Sequence, residues 1–510
     1  MGIKRYYAKS DNTITNAFME NLTTRGSGSN MGAADILEVF SIFGQANSSS
    51  AEKSRALLKF DCTASSNSIK SDRTDGVLPA SGSVSFYLRL FNAPHGQTLP
   101  KNYTMDVSAI SGTWNEGTGL DMEGYKDIGY SNWASASSTT SWISEGGDYF
   151  SDTSSSFSAS FDGGTEDIEL DITTLVEQWV NSAGNVLGSK EDEGVGVFIS
   201  NVYEAASRSY YTKKFFARGT EFHFKKPCIE ARWDSSVQDD RGGFYYSSSL
   251  ATSEENLNSI YLYNYFRGRL RNIPGIGTDT IRVSFFSGSA TDTAPFGSAL
   301  TLVADGTHVL AASPTVVTGT YVSTGIYKAR VALNAATTPL STVYDVWFSG
   351  SDAHTDATTA TQYFTGSVTP KIQYASAVAP NEEYVISIKN LKNVYRSDET
   401  ARLRVYTRQK DWSPTIYSKA VATPEVQIVE SGSYEIYRVA DDLKVVPYGT
   451  GSNYHTLMSY DASGSYFDFD MEMLESGYMY GIKFAFYNED VGAWVEQPDN
   501  FKFRVESRQS

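Results

Sequence analysis

Short runs of alternating apolar and polar residues recur along most of the chain. The clearest is "FDFDMEM", where Phe467, Phe469, Met471 and Met473 interleave with Asp468, Asp470 and Glu472. A strand sends successive side chains to opposite faces, so this pattern predicts one apolar face and one acidic, solvated face. Strict alternation of this kind predicts a half-buried antiparallel strand. A glycosidase pair needs two carboxylates facing each other across roughly 5 to 9 Å of cleft, usually from different elements. A row on one strand face does not supply that. A Ca²⁺ site would need further oxygens from nearby loops.

The same reading divides the chain into three regions. Residues 1–234 hold short strands such as "ILEVFSIFG", "RALLKFDC", "SVSFYLRLF", "YTMDVSAIS", "VGVFISN" and "CIEARW", separated by Ser/Gly/Asn loops, the spacing of a sandwich. One helix interrupts them, "TLVEQWVNSAG", with Thr174 and Glu177 at capping-box spacing and Leu175, Val176, Trp179 and Val180 on one face. The stretch from Gly112 to Gly164 is loop-like, yet Trp114, Trp133 and Trp142 predict an ordered excursion packed on the sandwich. Residues 235–370 ("SIYLYNYFRGRLRNI", "TIRVSFFSG", "ALTLVAD", "GIYKARVAL", "TVYDVWFSG") and 371–510 ("EYVISIKNL", "ARLRVYTRQ", "SYEIYRVAD", "YMYGIKFAFYN", "FKFRVE") each carry the strands of an immunoglobulin-like sandwich. The joints "SSVQDDRGG" and "GSVTPK" have the polar, Gly and Pro character of linkers and are short.

Composition agrees with an all-β chain: Tyr, Phe, β-branched residues and Gly are abundant, and Pro is scarce. The net charge of −17 argues against nucleic-acid binding, which needs clustered Lys and Arg. Arg267, Arg269 and Arg271 alternate, as on the solvent face of a strand. No window approaches the roughly 18 apolar residues of a membrane-spanning helix. The N-terminus lacks the apolar core of a signal peptide. It opens Met-Gly, but Tyr6 stands where a myristoylation signal has Ser or Thr. Cys62 and Cys228, far apart, are expected to be free thiols of a protein made in the cytosol.

The search for chemistry yields no reaction. The five histidines are scattered, with no HExxH and no paired-Cys motif. His354, between Asp352 and Asp356, reads as a turn rather than a metal site. Glu116, Asp121, Glu123, Asp127 and Asp148 match no EF-hand spacing and read as a solvated acidic loop. Neither a nucleophile elbow nor a phosphate loop is present. The expectation is a non-enzyme with no cofactor and no metal.

Several motifs occur in a familiar order. "SRALLKFD", "SVSFYLRLF", "VSAISGTWNEGTG", "YSNWASA", "WISEGGDYF", "LDITTLVEQWV", "GVGVFISN", "FFARGTE" and "KKPCIEARW" together resemble the DNRLRE-type module, a jelly-roll domain akin to carbohydrate-binding modules. That family brings no catalytic residues. This chain departs from it after "FFARG", where "TEFHFKK" intervenes and Lys226 precedes Pro227. The stretch Tyr6–Gln45 and the stretches between Ala401 and Glu506 resemble structural proteins of tailed phages of marine bacteria, cyanophages with contractile tails above all. The first resemblance implies an N-terminal jelly roll, so with the strand patterns of the other two regions the expected fold is an all-β chain of a jelly roll followed by two immunoglobulin-like β-sandwiches. The function they imply is a structural part of the virion, at the neck, tail or capsid surface, made in the host cytoplasm. Its partners are then other virion proteins and further copies of itself, with neither nucleic acid nor membrane. The alternative is an adhesion protein whose jelly roll binds a host surface glycan or receptor, with Trp114, Trp133 and Trp142 stacking on sugar rings. Tyr6, Tyr7, Ile14 and Phe18 give the N-terminal stretch apolar surface, and an attachment arm to a neighbouring subunit is expected there. The competing reading adds that stretch to its own sandwich.

Overall fold

A computed structural model of the chain describes residues 1–43, 51–96, 99–181, 187–303, 314–335, 338–350, 357, 360–373, 383–410, 416, 426–488 and 491–507. It is all-β and divides into two compact units. One comprises Gly2–Asp234 with Gly451–His455; the other comprises Ser235–Thr450 and Thr456–Ser510, with Met1.

The first unit is built from β1 (Ile3–Tyr7), β2 (Ser10–Thr15), β3 (Ile36–Phe43), β4 (Ala51–Lys59), β5 (Ser85–Leu90), β6 (Tyr103–Ala109), β7 (Ser156–Phe161), β8 (Ile168–Asp171), β9 (Val195–Ile199), β10 (Tyr210–Phe216) and β11 (Cys228–Arg232). One sheet runs β1-β11-β5-β8, and the other contains β4-β9-β6-β7, extended beyond β4 by β3 and β10. These two four-strand orders are those of a jelly roll, in which Greek-key connections alternate between layers. Phe86 and Leu88 from one layer meet Leu58, Val107 and Val197 from the other in a fully buried core. Helix α1 (Ile69–Thr74) and helix α2 (Thr173–Val180) close it, with Leu175, Val176 and Trp179 facing inward. The expected capping box does not form. Ile172 is the N-cap without a side-chain bond, and Glu177 instead accepts from the two terminal guanidinium nitrogens of Arg73 at 2.6 and 2.8 Å. A short helix α3 (Asn201–Glu204) follows β9.

The N-terminal stretch belongs to this unit's own sheets, which corrects the expectation of an attachment arm. β1 pairs with β11 from Ile3↔Arg232 to Tyr7↔Cys228, and β2 pairs with the second half of β4. Ile14 is fully buried and Tyr6 nearly so, its hydroxyl donating to Asp72 at 2.5 Å. Tyr7 is half-buried against the His223 ring, and the Phe18 ring lies under the Arg25 guanidinium. The outer face of the β1-β11-β5 sheet holds a buried ion cluster. Glu230 accepts from Arg5 at 2.7 Å and from Arg232 at 2.7 Å, with Arg89 at 3.5 Å. Burial alone would raise the Glu230 carboxyl, but the three guanidiniums outweigh it and hold it well below the ordinary carboxylate range. Cys62 and Cys228 are free, buried thiols, both pushed up by burial.

The second unit contains two immunoglobulin-like sandwiches. In the first, β12 (Asn258–Tyr263), a hairpin of β13 (Tyr265–Phe266) and β14 (Arg269–Leu270), β15 (Ile281–Gly288), β16 (Pro295–Phe296), β17 (Val317–Ser323), β18 (Ile326–Val331), β19 (Val343–Phe348) and β20 (Gln362–Val368) succeed one another. β17 bonds β15 through Val317–Gly319 and β18 from Thr320 onward, so it passes from one layer to the other. Of the arginines of "FRGRLR", only Arg269 sits in a strand, exposed in β14. Arg267 and Gly268 both take positive φ, 52° and 76°, the geometry of a tight hairpin turn, and Arg267 and Arg271 stack against Phe266. "GSVTPK" begins inside β20 rather than after it.

The last sandwich has β21 (Tyr384–Ile388), β22 (Val394–Arg396), β23 (Thr400–Gln409), β24 (Gly432–Arg438), β25 (Leu443–Val446), β26 (Ser459–Asp461), β27 (Gly464–Asp470), β28 (Met479–Asn488), β29 (Ala493–Glu496) and β30 (Phe501–Glu506). One sheet runs β21-β23-β27-β26; the other runs β22-β30-β28-β24-β25. Read in sequence, this is the ABED and GFC arrangement of an immunoglobulin domain, with β22 crossing to pair in parallel with the final strand. Tyr434 and Phe467 stack across the layers with centroids 4.1 Å apart. In "FDFDMEM" the alternation holds through Asp470 and then stops. Asp470 caps the N–H of Glu472, and Met471–Met473 form one 3₁₀ turn. Asp468, on the wet face, accepts two hydrogen bonds from the cross-strand Arg402 at 2.7 and 2.8 Å.

Candidate functional site

The excursion after β6 is the most elaborated non-strand region of the jelly-roll unit. Trp114, Trp133 and Trp142 gather with Ile110 and Ala136 over Ile14 of β2 and Leu57 of β4. All three indoles are buried, which corrects their assignment as sugar-stacking platforms: that role requires an open ring face. The indole N–H of Trp114 donates to the Glu193 carbonyl at 2.9 Å, and that of Trp142 to the Asn132 carbonyl at 2.8 Å. Arg55 lies over the Trp133 ring and ties the excursion to the sheet, donating to the Gly146 carbonyl at 3.0 Å and to Glu204 at 2.7 Å. Burial opposes its charge, but the Glu204 carboxylate more than offsets that.

Two buried amides do the same work from the N-terminal side. Asn12 donates to the Ser131 carbonyl at 2.8 Å, and Asn30 spans the Ser131 carbonyl at 2.8 Å and the N–H of Gly119 at 3.0 Å. The approach is so close that a Cβ on Gly119 would lie 2.0 Å from the Asn30 carbonyl oxygen, so only glycine fits.

The five acids singled out in this region are all engaged. Asp121 accepts the N–H groups of Glu123, Gly124 and Tyr125; Asp127 accepts that of Thr118; Asp148 accepts those of Ile143 and Ser144. Glu123 holds the Glu20 N–H, and Glu116 holds the Asp11 N–H and the Arg218 guanidinium. These carboxylates replace absent strand ladders as partners for loop backbone. Among the described residues no group of three His, Cys, Asp or Glu is placed to hold a metal ion. His354 lies outside the described residues. Asp11 is buried beside Glu116, and burial pushes its carboxyl up to about 7 despite the Arg218 N–H it accepts.

So fixed, the excursion turns Leu120, Tyr125, Ile128, Tyr130 and Ile143 outward, Ile128 at 74% and Ile143 at 94% exposure. Beneath Tyr130 lies an open hollow of about 450 Å³, with Lys9, Lys59, Asp61, Asn115 and Glu116 on its walls. Its charges are matched: Lys9 pairs with Asp61, Lys59 with Glu193 at 2.7 Å, and Glu116 with Arg218 at 2.6 Å. Both carboxylates on its walls, Asp61 and Glu116, thus already have a cation. Sequence reasoning found the excursion but not these exposed residues, which carry no periodic signature.

No family model matches the chain, and no curated protein does. Among solved structures, the chain is similar to the N-terminal Ig1-2 module of Drosophila receptor protein tyrosine phosphatase DLAR, at 8% identity and TM-score 0.13, over 50% of this chain and 91% of that one. It is also similar to titin domains z1z2 in complex with telethonin, at 10% identity and TM-score 0.13, over 49% and 86%. A third similarity, to α2-macroglobulin of E. coli in its native conformation, has 7% identity and TM-score 0.15, over 99% of this chain and 26% of that one. At these scores the similarities carry no argument about function.

Proposed function

We propose that the chain is a non-enzymatic building block of a tailed-phage particle, at its neck, tail or capsid surface, and that it acts through protein–protein contacts made by the excursion of the jelly-roll unit. The observation that carries this reading is the pairing of rigidity with exposure. Three carboxylates and two buried amides hold the loop backbone, and Glu116 and Glu123 tie it to the N-terminal stretch, while Leu120, Tyr125, Ile128, Tyr130 and Ile143 face solvent. Exposed apolar groups mark interaction surfaces, and a loop already ordered loses little entropy on docking. The resemblance of Tyr6–Gln45 and of the stretches between Ala401 and Glu506 to phage structural proteins supplies the setting. Partners are then other particle proteins and further copies of this chain.

The experiment is assembly with Ile128→Ser and Ile143→Ser combined. The doubly substituted chain should fold as the parent does by circular dichroism, yet be lost from purified particles. Incorporation at the parental copy number, or absence of the parent from particles, defeats the reading. The hollow beside the half-exposed Tyr130 supports a second reading, binding to a host glycan or receptor. Binding of the isolated chain to host cells that disappears with Tyr130→Ala favours that second reading.

A further inference from the structure

Lys213 of β10 is fully buried, its ammonium nitrogen held by three neutral acceptors. They are the Asn92 side-chain oxygen at 2.7 Å, the Glu166 carbonyl at 2.7 Å and the Gly164 carbonyl at 3.0 Å. The rings of Phe161 and Phe215 stand 4.8 and 5.3 Å away. Asn92 is fixed from both sides, bridged to Phe215 and donating its backbone N–H to Asp167 at 2.7 Å. The Glu166 carboxylate makes no ion pair with this ammonium and acts on it electrostatically, with its Oε2 buried.

We infer that Lys213 and Asn92 form an intramolecular isopeptide bond, a covalent staple between the two layers of the jelly roll. When Lys213 loses its proton, the two backbone carbonyls can only accept, so they keep the two remaining N–H groups. The nitrogen lone pair is left facing the third neighbour, the Asn92 carboxamide. Rotation of that amide about its Cβ–Cγ bond moves Oδ1 aside and opens Cγ to attack at near-contact distance. The step balances without any oxidant or co-reactant. The Nζ–Cγ bond forms, one proton passes from Nζ to the carboxamide nitrogen, the Cγ–Nδ2 bond breaks, and ammonia leaves.

The surroundings raise the share of neutral amine above that of a solvated lysine. Burial lowers the Lys213 ammonium to about 8, against the partial opposition of Glu166 and Asp167, so about one molecule in ten carries the free amine at pH 7. Burial would raise the Glu166 carboxyl, but the N–H groups of Gly163, Glu166 and Gly164 outweigh it and keep it ionised. Asn92 follows β5 of one sheet and is bridged to Phe215 beside Lys213 in β10 of the other, so the bond locks a crossover between the layers that backbone pairing already makes.

Intact mass of the full chain, unfolded and reduced after folding and incubation at pH 8 to 9, tests this. The expected mass is one ammonia below the sequence mass, and digestion should yield a branched peptide joining the segments of Asn92 and Lys213. Asn92→Ala and Lys213→Arg should each restore the sequence mass. A folded parent that keeps the sequence mass overturns the inference. So does an ammonia loss that maps to any other asparagine, or one that persists in Lys213→Arg.

Discussion

Asp345 holds Arg241 through two hydrogen bonds of 2.6 and 2.8 Å, and its carboxylate is fully buried. The indole N–H of Trp347 completes the site at 2.7 Å. Arg241 comes from the short 3₁₀ turn before the first immunoglobulin-like sandwich, so the pair pins that turn to β19. Removing one member of such a pair strands the other without water. Arg241→Ala should therefore cost about 3–5 kcal/mol, read as a lower urea midpoint for the second unit. A midpoint within experimental scatter of the parent would show the pair to be solvated.

Trp142→Ala should act on stability rather than on ligand binding. The ring is buried in the cluster with Ile14 and Leu57, and emptying such a site costs about 3–5 kcal/mol. Denaturant unfolding of the jelly-roll unit checks this. An unchanged midpoint would restore the tryptophans as surface groups.

Deleting residues 1–18 should unfold the jelly-roll unit or lower its melting temperature by roughly 10 °C or more, at about 2–4 °C per kcal/mol for a unit of this size. The deletion removes β1 and β2, together with the buried Ile3, Tyr6 and Ile14. Calorimetry of the truncated chain decides the matter. A folded product with the parental transition would return the segment to the role of an arm.

The contrast between these regions shows what a sequence can reveal. Alternation is local, so the strands of "FDFDMEM" and "ARLRVYTRQ" were legible, and so was the need of three tryptophans for a buried home. The pairing of β1 with β11 joins residues more than 200 positions apart and leaves no local mark. Whether Tyr6 lies in a core or on a partner depends on that pairing, and for Ile14 it depends on the pairing of β2 with β4. Glu177 illustrates the same limit: its spacing from Thr174 suits a cap, but Arg73, distant in sequence, offers two stronger bonds. Ile128 and Ile143 are unremarkable as letters, and their exposure follows from where the acid-capped turns point them.

The jelly-roll unit should weaken as pH rises from 4 to 7. Folded Asp11, near Glu116 and Arg218, keeps its proton up to about pH 7, whereas the unfolded chain releases it near 3.8. The folded state is then favoured below the unfolded value, and the advantage is lost as pH climbs through the folded one. At about 1.36 kcal/mol per tenfold change in proton affinity, the effect is limited to about 4 kcal/mol. Asp11→Asn, which stays neutral, should flatten urea midpoints between pH 5 and pH 8. Equal slopes in parent and variant would remove Asp11 as the cause.

The central claim is that this chain is a particle component docked through its excursion. A cryo-EM map of the intact particle tests it most directly. The account predicts density for the jelly roll with Tyr125, Ile128 and Ile143 buried against a neighbouring chain. A map that contains the chain with those three side chains facing solvent, or a particle without the chain at all, would contradict it.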